Sequence, residues 1–194
     1  MTWVKICGIT NAEDAAAAVA AGADALGFIF FRGSKRYVDP AVVGAIRVPE
    51  GVTKVGVFVD APLYEIRKVR EQAGLSMIQL HGHELPAVAA ALGNVAKVFR
   101  RGEPLAKAAA FPDAIAMFDG PEGGSGQKAD WSVARQCARL RQVILAGGLT
   151  PENVGEAIRA VHPWGVDVSS GVELSPGKKD HDKVRAFIAA ARKG

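Results

Sequence analysis

Trp3-Val4-Lys5-Ile6-Cys7-Gly8-Ile9-Thr10-Asn11 opens a pattern that governs the whole chain. An apolar, strand-forming run comes first and a glycine turn follows. Asn11 then stands where a helix N-cap belongs, with Asp14 three residues on, ahead of an alanine-rich amphipathic stretch. Gly22 falls where that helix should end, and a second apolar run begins just beyond it. The same unit recurs to the end of the sequence. Strand-like runs fall at 3–7, 25–30, 53–59, 77–81, 95–99, 115–119, 142–146 and 165–169. Helix-like segments fall between and after them, at 12–21, 40–46, 62–73, 84–92, 104–109, 131–140, 151–161 and 181–191. Gly74 and Gly93 sit at expected helix ends, and Thr150-Pro151-Glu152 reads as a cap followed by proline in the first helical position.

The apolar runs are near-continuous rather than alternating, as in strands buried on both faces. Strands alternating with helices imply parallel pairing through crossover helices. Eight such units predict an α/β fold: a closed (β/α)8 TIM barrel occupying residues 1–194 as one domain. The competing arrangement, an open doubly wound sheet, lacks support because no GxGxxG follows the first strand. The length lies at the lower limit for the barrel, about 200 residues, so helices and loops must be minimal.

Composition narrows the function. Half the residues are hydrophobic (49%) and 23% are charged, which excludes disordered and collagen-like chains. The 24 basic and 20 acidic residues are dispersed, with no basic run and no aromatic platform, so no nucleic-acid partner is expected. A net charge of +4 suits an anionic small substrate. No stretch is long and apolar enough for a membrane span, and Glu13 and Asp14 sit where a secretion signal would carry positive charge. Cys7 and Cys137 are far apart and outside any CxxC, so the chain reads as cytoplasmic with reduced thiols.

In a barrel of this kind the active site lies at the C-terminal ends of the strands. Polar and glycine signatures cluster there. Cys7 ends the first strand, where a thiolate would act as base or nucleophile given local positive potential. Asp119 ends the sixth, and a partly buried carboxyl there becomes a usable general acid. Arg36, in Ser34-Lys35-Arg36, has the planar fork that clamps a carboxylate. Gln79 and His81 end the fourth strand. Gly147-Gly148 and Ser169-Ser170-Gly171 follow the seventh and eighth, the usual place for a backbone phosphate cradle. Gly123-Gly124-Ser125-Gly126 has no packing content and reads as a loop over the site. His81 and His83 form an HxH, but nothing nearby completes a ligand set, so no metal is expected.

Parity along the strands adds one expectation. Lys5 shares a face with Cys7, and Asp167 shares one with Ser169. If the active-site residues face inward, both charges do too. Strand closure then brings Lys5 and Asp167 together as a buried ion pair beneath the site, with the ammonium favouring a thiolate at Cys7.

Taken together, the motifs resemble the phosphoribosylanthranilate isomerases of tryptophan biosynthesis. The resemblance rests on Val4-Lys5-Ile6-Cys7-Gly8-Ile9-Thr10, Ser34-Lys35-Arg36-Tyr37, Gln79-Leu80-His81-Gly82, Gly123-Gly124-Ser125-Gly126, Leu145-Ala146-Gly147-Gly148-Leu149 and Val166-Asp167-Val168-Ser169-Ser170-Gly171-Val172-Glu173. One departure is Ala129-Asp130-Trp131, where the family usually has Phe-Asp-Trp. The resemblance implies a cofactor-free Amadori rearrangement of a phosphorylated small molecule by a monomer or homodimer. It implies Asp119 as general acid, Cys7 as general base and Arg36 as carboxylate clamp. The turns at Gly147, Gly148 and Ser169–Gly171 would hold the phosphate. The related isomerase of histidine biosynthesis uses paired aspartates at the ends of strands one and five, and here those ends are Cys7 and Phe99-Arg100.

Overall fold

Eight parallel strands close on themselves in chain order in a computed structural model, which describes residues 1–100, 103, 105–119 and 131–194. They are β1 (Trp3–Cys7), β2 (Ala25–Ile29), β3 (Thr53–Phe58), β4 (Met77–Leu80), β5 (Val95–Arg100), β6 (Ile115–Asp119), β7 (Val143–Ala146) and β8 (Gly165–Val168). β1 pairs with β8, with Trp3 opposite Gly165 and Lys5 opposite Asp167. The helices between and after them are α1 (Ala12–Ala20), α2 (Pro40–Ala45), α3 (Leu63–Ala73), α4 (Pro86–Leu92), α5 (Leu105–Ala109), α6 (Ser132–Ala138), α7 (Val154–Val161) and α8 (His181–Lys193). This is the (β/α)8 TIM barrel that the sequence predicts.

Local chemistry sets the element ends. Asn11 accepts from the Asp14 N–H at 2.8 Å and caps α1, as its position predicts. Asp39 caps α2 through the Ala41 N–H, with Pro40 in the first turn. Gly74 ends α3 in the left-handed region. Two starts differ from expectation by more than one residue. Helix α7 begins at Val154, not Pro151. There the Asn153 side chain accepts from the Thr150 N–H and donates to the Gly148 carbonyl, folding 150–153 into a turn before the helix starts. Glu84 lies before α4 rather than in it. Its carboxylate accepts from the backbone N–H groups of Asp60 and Gly82 and meets Lys97 at 2.8 Å. A hairpin of β9 (Glu173–Ser175) and β10 (Lys178–Lys179), absent from the sequence reading, follows β8. Pro104 and the Gly123–Gly126 and Ala129–Asp130 segments lie outside the described residues.

The core has two layers, because successive strand residues point to opposite faces. Val4, Ile6, Leu26, Phe28, Ile78 and Leu145 face outward into the layer covered by the helices. Ala25, Val55, Met77, Val98, Met117 and Ile144 fill the barrel interior, and Trp3 stacks on Trp164 where β1 and β8 begin. Lys5 is buried among the inward-facing residues, with its Nζ 2.7 Å from Asp167 Oδ1 and side-chain exposures of 2% and 9%. The predicted ion pair is therefore present.

A buried charge without its partner is costly, whereas removing both charges leaves an apolar barrel. Lys5→Met is expected to lower the unfolding free energy by about 3–5 kcal/mol, and the Lys5→Met, Asp167→Leu double variant to regain most of it. Urea unfolding of the three proteins measures both changes.

Candidate active site

The strand ends open into a cavity of about 570 Å³, lined by each residue that the sequence offers as catalytic or substrate-binding. Cys7, Arg36, Gln79, His81 and Asp119 line it together with Gly147, Gly148, Ser169, Ser170 and Gly171. Asp167 lines it too, which parity alone foretold only as a buried pair. Apolar walls from Ile29, Val57, Val98, Met117 and Leu149 were not singled out. Their signal was available, since each stands within three residues of a strand's C-terminal end.

Cys7 is 5% exposed, and its thiol sits over Gly27. A Cβ at that glycine would lie 2.7 Å from Cys7 Sγ and 2.9 Å from Lys5 Cε, so β2 leaves room for both side chains. Burial pushes the Cys7 pKa above the ordinary thiol value, against the opposing pull of Lys5. Asp167 adds to the rise, and Lys179 opposes it. Lys5 favours the charged form, as expected, but loss of water outweighs it. The Lys5 ammonium itself is held above its usual pKa, because Asp167 and Cys7 together overcome the effect of burial.

Asp119 projects from the end of β6, half-exposed, with Oδ2 3.7 Å from His81 Nε2. Burial, then the nearby Lys5 charge, depresses the His81 pKa, so its imidazole is neutral at neutral pH. The Gln79 amide nitrogen lies 3.3 Å from His81 Nδ1. An amide N–H there makes Nδ1 the acceptor and leaves the ring proton on Nε2, facing Asp119. His83 turns away to Asp60, at 3.4 Å, so the HxH does not converge on one point.

Arg36 differs from the free loop residue its sequence context suggests. Its Nε and Nη2 donate to the Glu173 carboxylate at 2.8 and 2.6 Å. Glu173 also meets Lys179 at 2.9 Å. The sequence reading missed this pair of partners, since they come from the unexpected hairpin. Just beyond β7, Gly147 and Gly148 have φ of 81° and 62°, values that favour glycine. Ser169 Oγ and Gln79 Oε1 are buried at the cavity wall with no hydrogen-bond partner among the described residues. An unmet buried polar group costs about 1–3 kcal/mol, so both are poised to bond a ligand.

The arrangement offers a thiol, a carboxyl, an arginine fork and a small-residue cradle around one cavity. Residues 4–190 match the family model described as N-(5'phosphoribosyl)anthranilate (PRA) isomerase. The chain is 47% identical to the N-(5'-phosphoribosyl)anthranilate isomerase of Geobacter sp. strain M21, covering 100% of this chain and 99% of that protein. It superimposes on the phosphoribosyl anthranilate isomerase of Thermotoga maritima with a TM-score of 0.93 and 41% identity over the full length of both. It also matches a phosphoribosyl anthranilate isomerase solved in complex with reduced 1-(o-carboxyphenylamino)-1-deoxyribulose 5-phosphate, at TM-score 0.90 and 40% identity, again over 100% of both chains. Fold, cavity and full-length identity converge, and the chain belongs to the N-(5'-phosphoribosyl)anthranilate isomerase family of tryptophan biosynthesis.

Proposed function

We propose that Cys7 and Asp119 are the base and acid of the family's Amadori rearrangement in this chain. The observation that carries the reading is their placement: a thiol on β1 and a carboxyl on β6 line one cavity from separate walls. Asp119 protonates the furanose ring oxygen, and the ring opens to an iminium ion. The Cys7 thiolate removes the C2' proton, giving an enolamine that tautomerises to the ketone. The neutral His81 Nε2–H faces the Asp119 carboxylate that remains once the proton has left. Arg36 holds the anthranilate carboxylate. The Gly147-Gly148 and Ser169-Ser170-Gly171 turns hold the phosphate, with Ser169 Oγ gaining the partner it lacks. Gln79 Oε1 accepts from a sugar hydroxyl.

The substrate is thus a phosphorylated small molecule. The buried free thiols of Cys7 and Cys137 suit a reducing cytoplasm. Among the described residues no helix is long and apolar enough to cross a membrane.

Loss of anthranilate-type substrate fluorescence on adding the purified protein tests the reading directly. Cys7→Ala and Asp119→Asn are each expected to keep the native circular dichroism spectrum while lowering kcat/KM by about 10²–10⁴. Near-full activity of either variant removes that residue from the chemistry.

The raised Cys7 pKa sets a pH dependence. The base must be ionised, so kcat/KM rises as pH rises through the thiol's pKa. Lys5 lowers that pKa, so Lys5→Met moves the rise to higher pH. A pH–rate profile, paired with absorbance titration of the thiolate, checks the direction.

Arg36→Met is expected to raise KM by about tenfold to a hundredfold, the worth of a charge-assisted contact of roughly 1.5–3 kcal/mol. It also strips Glu173 of one of its two cations, so thermal denaturation should show a loss of stability as well.

A further inference from the structure

The β9–β10 hairpin lies outside the strand–helix rhythm, and it brings two charged side chains to the barrel wall. Glu173 accepts from Arg36 through both carboxylate oxygens, and from Lys179 through one of them. Lys179 is fully buried, and its Nζ also donates to the Ser169 carbonyl at 3.2 Å. Its backbone is fixed as well: the Lys179 N–H donates to Asp14 Oδ2 at 2.9 Å, and Asp14 Oδ1 meets His181 Nε2 at 2.8 Å. A Cβ at Gly8 would lie 2.7 Å from Arg36 Cδ, 2.9 Å from Ser169 Oγ and 3.5 Å from Lys179 Nζ. The cluster therefore converges on the residue next to Cys7.

A carboxylate receptor needs net positive charge. Arg36 and Glu173 by themselves form a bidentate pair of zero net charge. An incoming carboxylate would meet the repulsion of Glu173 along with the attraction of Arg36. Lys179 changes the count to two cations and one carboxylate. We propose that Lys179 is a specificity-determining residue: by offsetting Glu173 it leaves the clamped Arg36 fork with the net charge that selects ligands bearing a carboxylate on the aromatic ring. The inference rests on the isomerase reading, because the carboxylate concerned is that of the anthranilate ring. Glu173 fixes the fork's direction, and Lys179 preserves its electrostatic pull. Burial draws the Lys179 pKa below that of a free lysine, with Glu173 pulling the other way. Glu173 in turn stays ionised, since Arg36 and Lys179 outweigh its own burial.

The test reads binding rather than turnover, because Lys179 also bears on the Cys7 thiol. Two probes are used: reduced 1-(o-carboxyphenylamino)-1-deoxyribulose 5-phosphate and its anilino analogue without the ring carboxylate. The wild-type preference for the first is the ratio of their Kd values. Lys179→Met is expected to reduce that ratio on the order of tenfold, the effect of one nearby charge in a partly screened site. The anilino analogue should bind as before, and Lys179→Arg should keep the full ratio. A merely structural role would weaken both probes together and leave the ratio unchanged, which overturns the proposal. If Lys179→Met does not fold, Lys179→Gln removes the same charge while keeping a polar head beside Glu173 and the Ser169 carbonyl, and leaves the Arg36–Glu173 pair in place. The ratio should again fall on the order of tenfold, and an unchanged ratio overturns the proposal. A wild-type protein that does not isomerise the substrate overturns the underlying reading instead, before any variant is compared.

Discussion

Pairing of β1 with β8 is the constraint on which the rest of the molecule depends. It joins residues 162 positions apart and turns an open sheet into a barrel. Lys5 opposite Asp167 fixes its register inside the barrel, because slipping one strand by one residue would turn its own charge outward, strand the other charge unpaired inside and bring an apolar outer face inward. Once that register is set, Cys7 is carried one layer up, facing the cavity. Ser169, just beyond β8, comes to the same rim. The site is thus a consequence of how the barrel closes.

Charge is managed by burial throughout. Among the described residues four lysines, Lys5, Lys54, Lys97 and Lys179, are buried, and each has partners. Lys54 donates to the Val43 and Ala73 carbonyls near the ends of α2 and α3. Lys97 holds the segment after β4 through the Gly82 carbonyl and Glu84, and so supports the backbone that presents His81. Lys5 and Lys179 flank the thiol. The same loss of water that makes these pairs directional also pushes the Cys7 pKa up. The two lysines limit that penalty without reversing it. The ionisation of this thiol therefore depends on cations buried beside it.

Arg36 illustrates how a loop residue becomes exact in position. Nothing in Ser34-Lys35-Arg36 restrains a long side chain. The restraint is Glu173, which lies 137 residues away and holds two of the guanidinium nitrogens. A fork already held in place loses less rotamer freedom when a ligand binds. Without a compensating cation, that restraint would cancel the charge it orients.

Near-continuous apolar runs alternating with amphipathic stretches determined the strand–helix order and the closed barrel, and side-chain parity along the strands determined which residues face the mouth. Those readings rest on local rules: alternation along a strand, caps at helix starts and glycine at helix ends. Even the Lys5–Asp167 pair followed from them, because parity plus closure leaves the two side chains no other place. The tertiary structure alone decided the hairpin after β8, the Glu173 bridge between Arg36 and Lys179, the Glu84–Lys97 anchor, and the upward direction of the Cys7 pKa. Each depends on long side chains reaching across distant segments, or on how completely water is excluded. Neither reach nor dryness has a period in the sequence, so no local pattern encodes them.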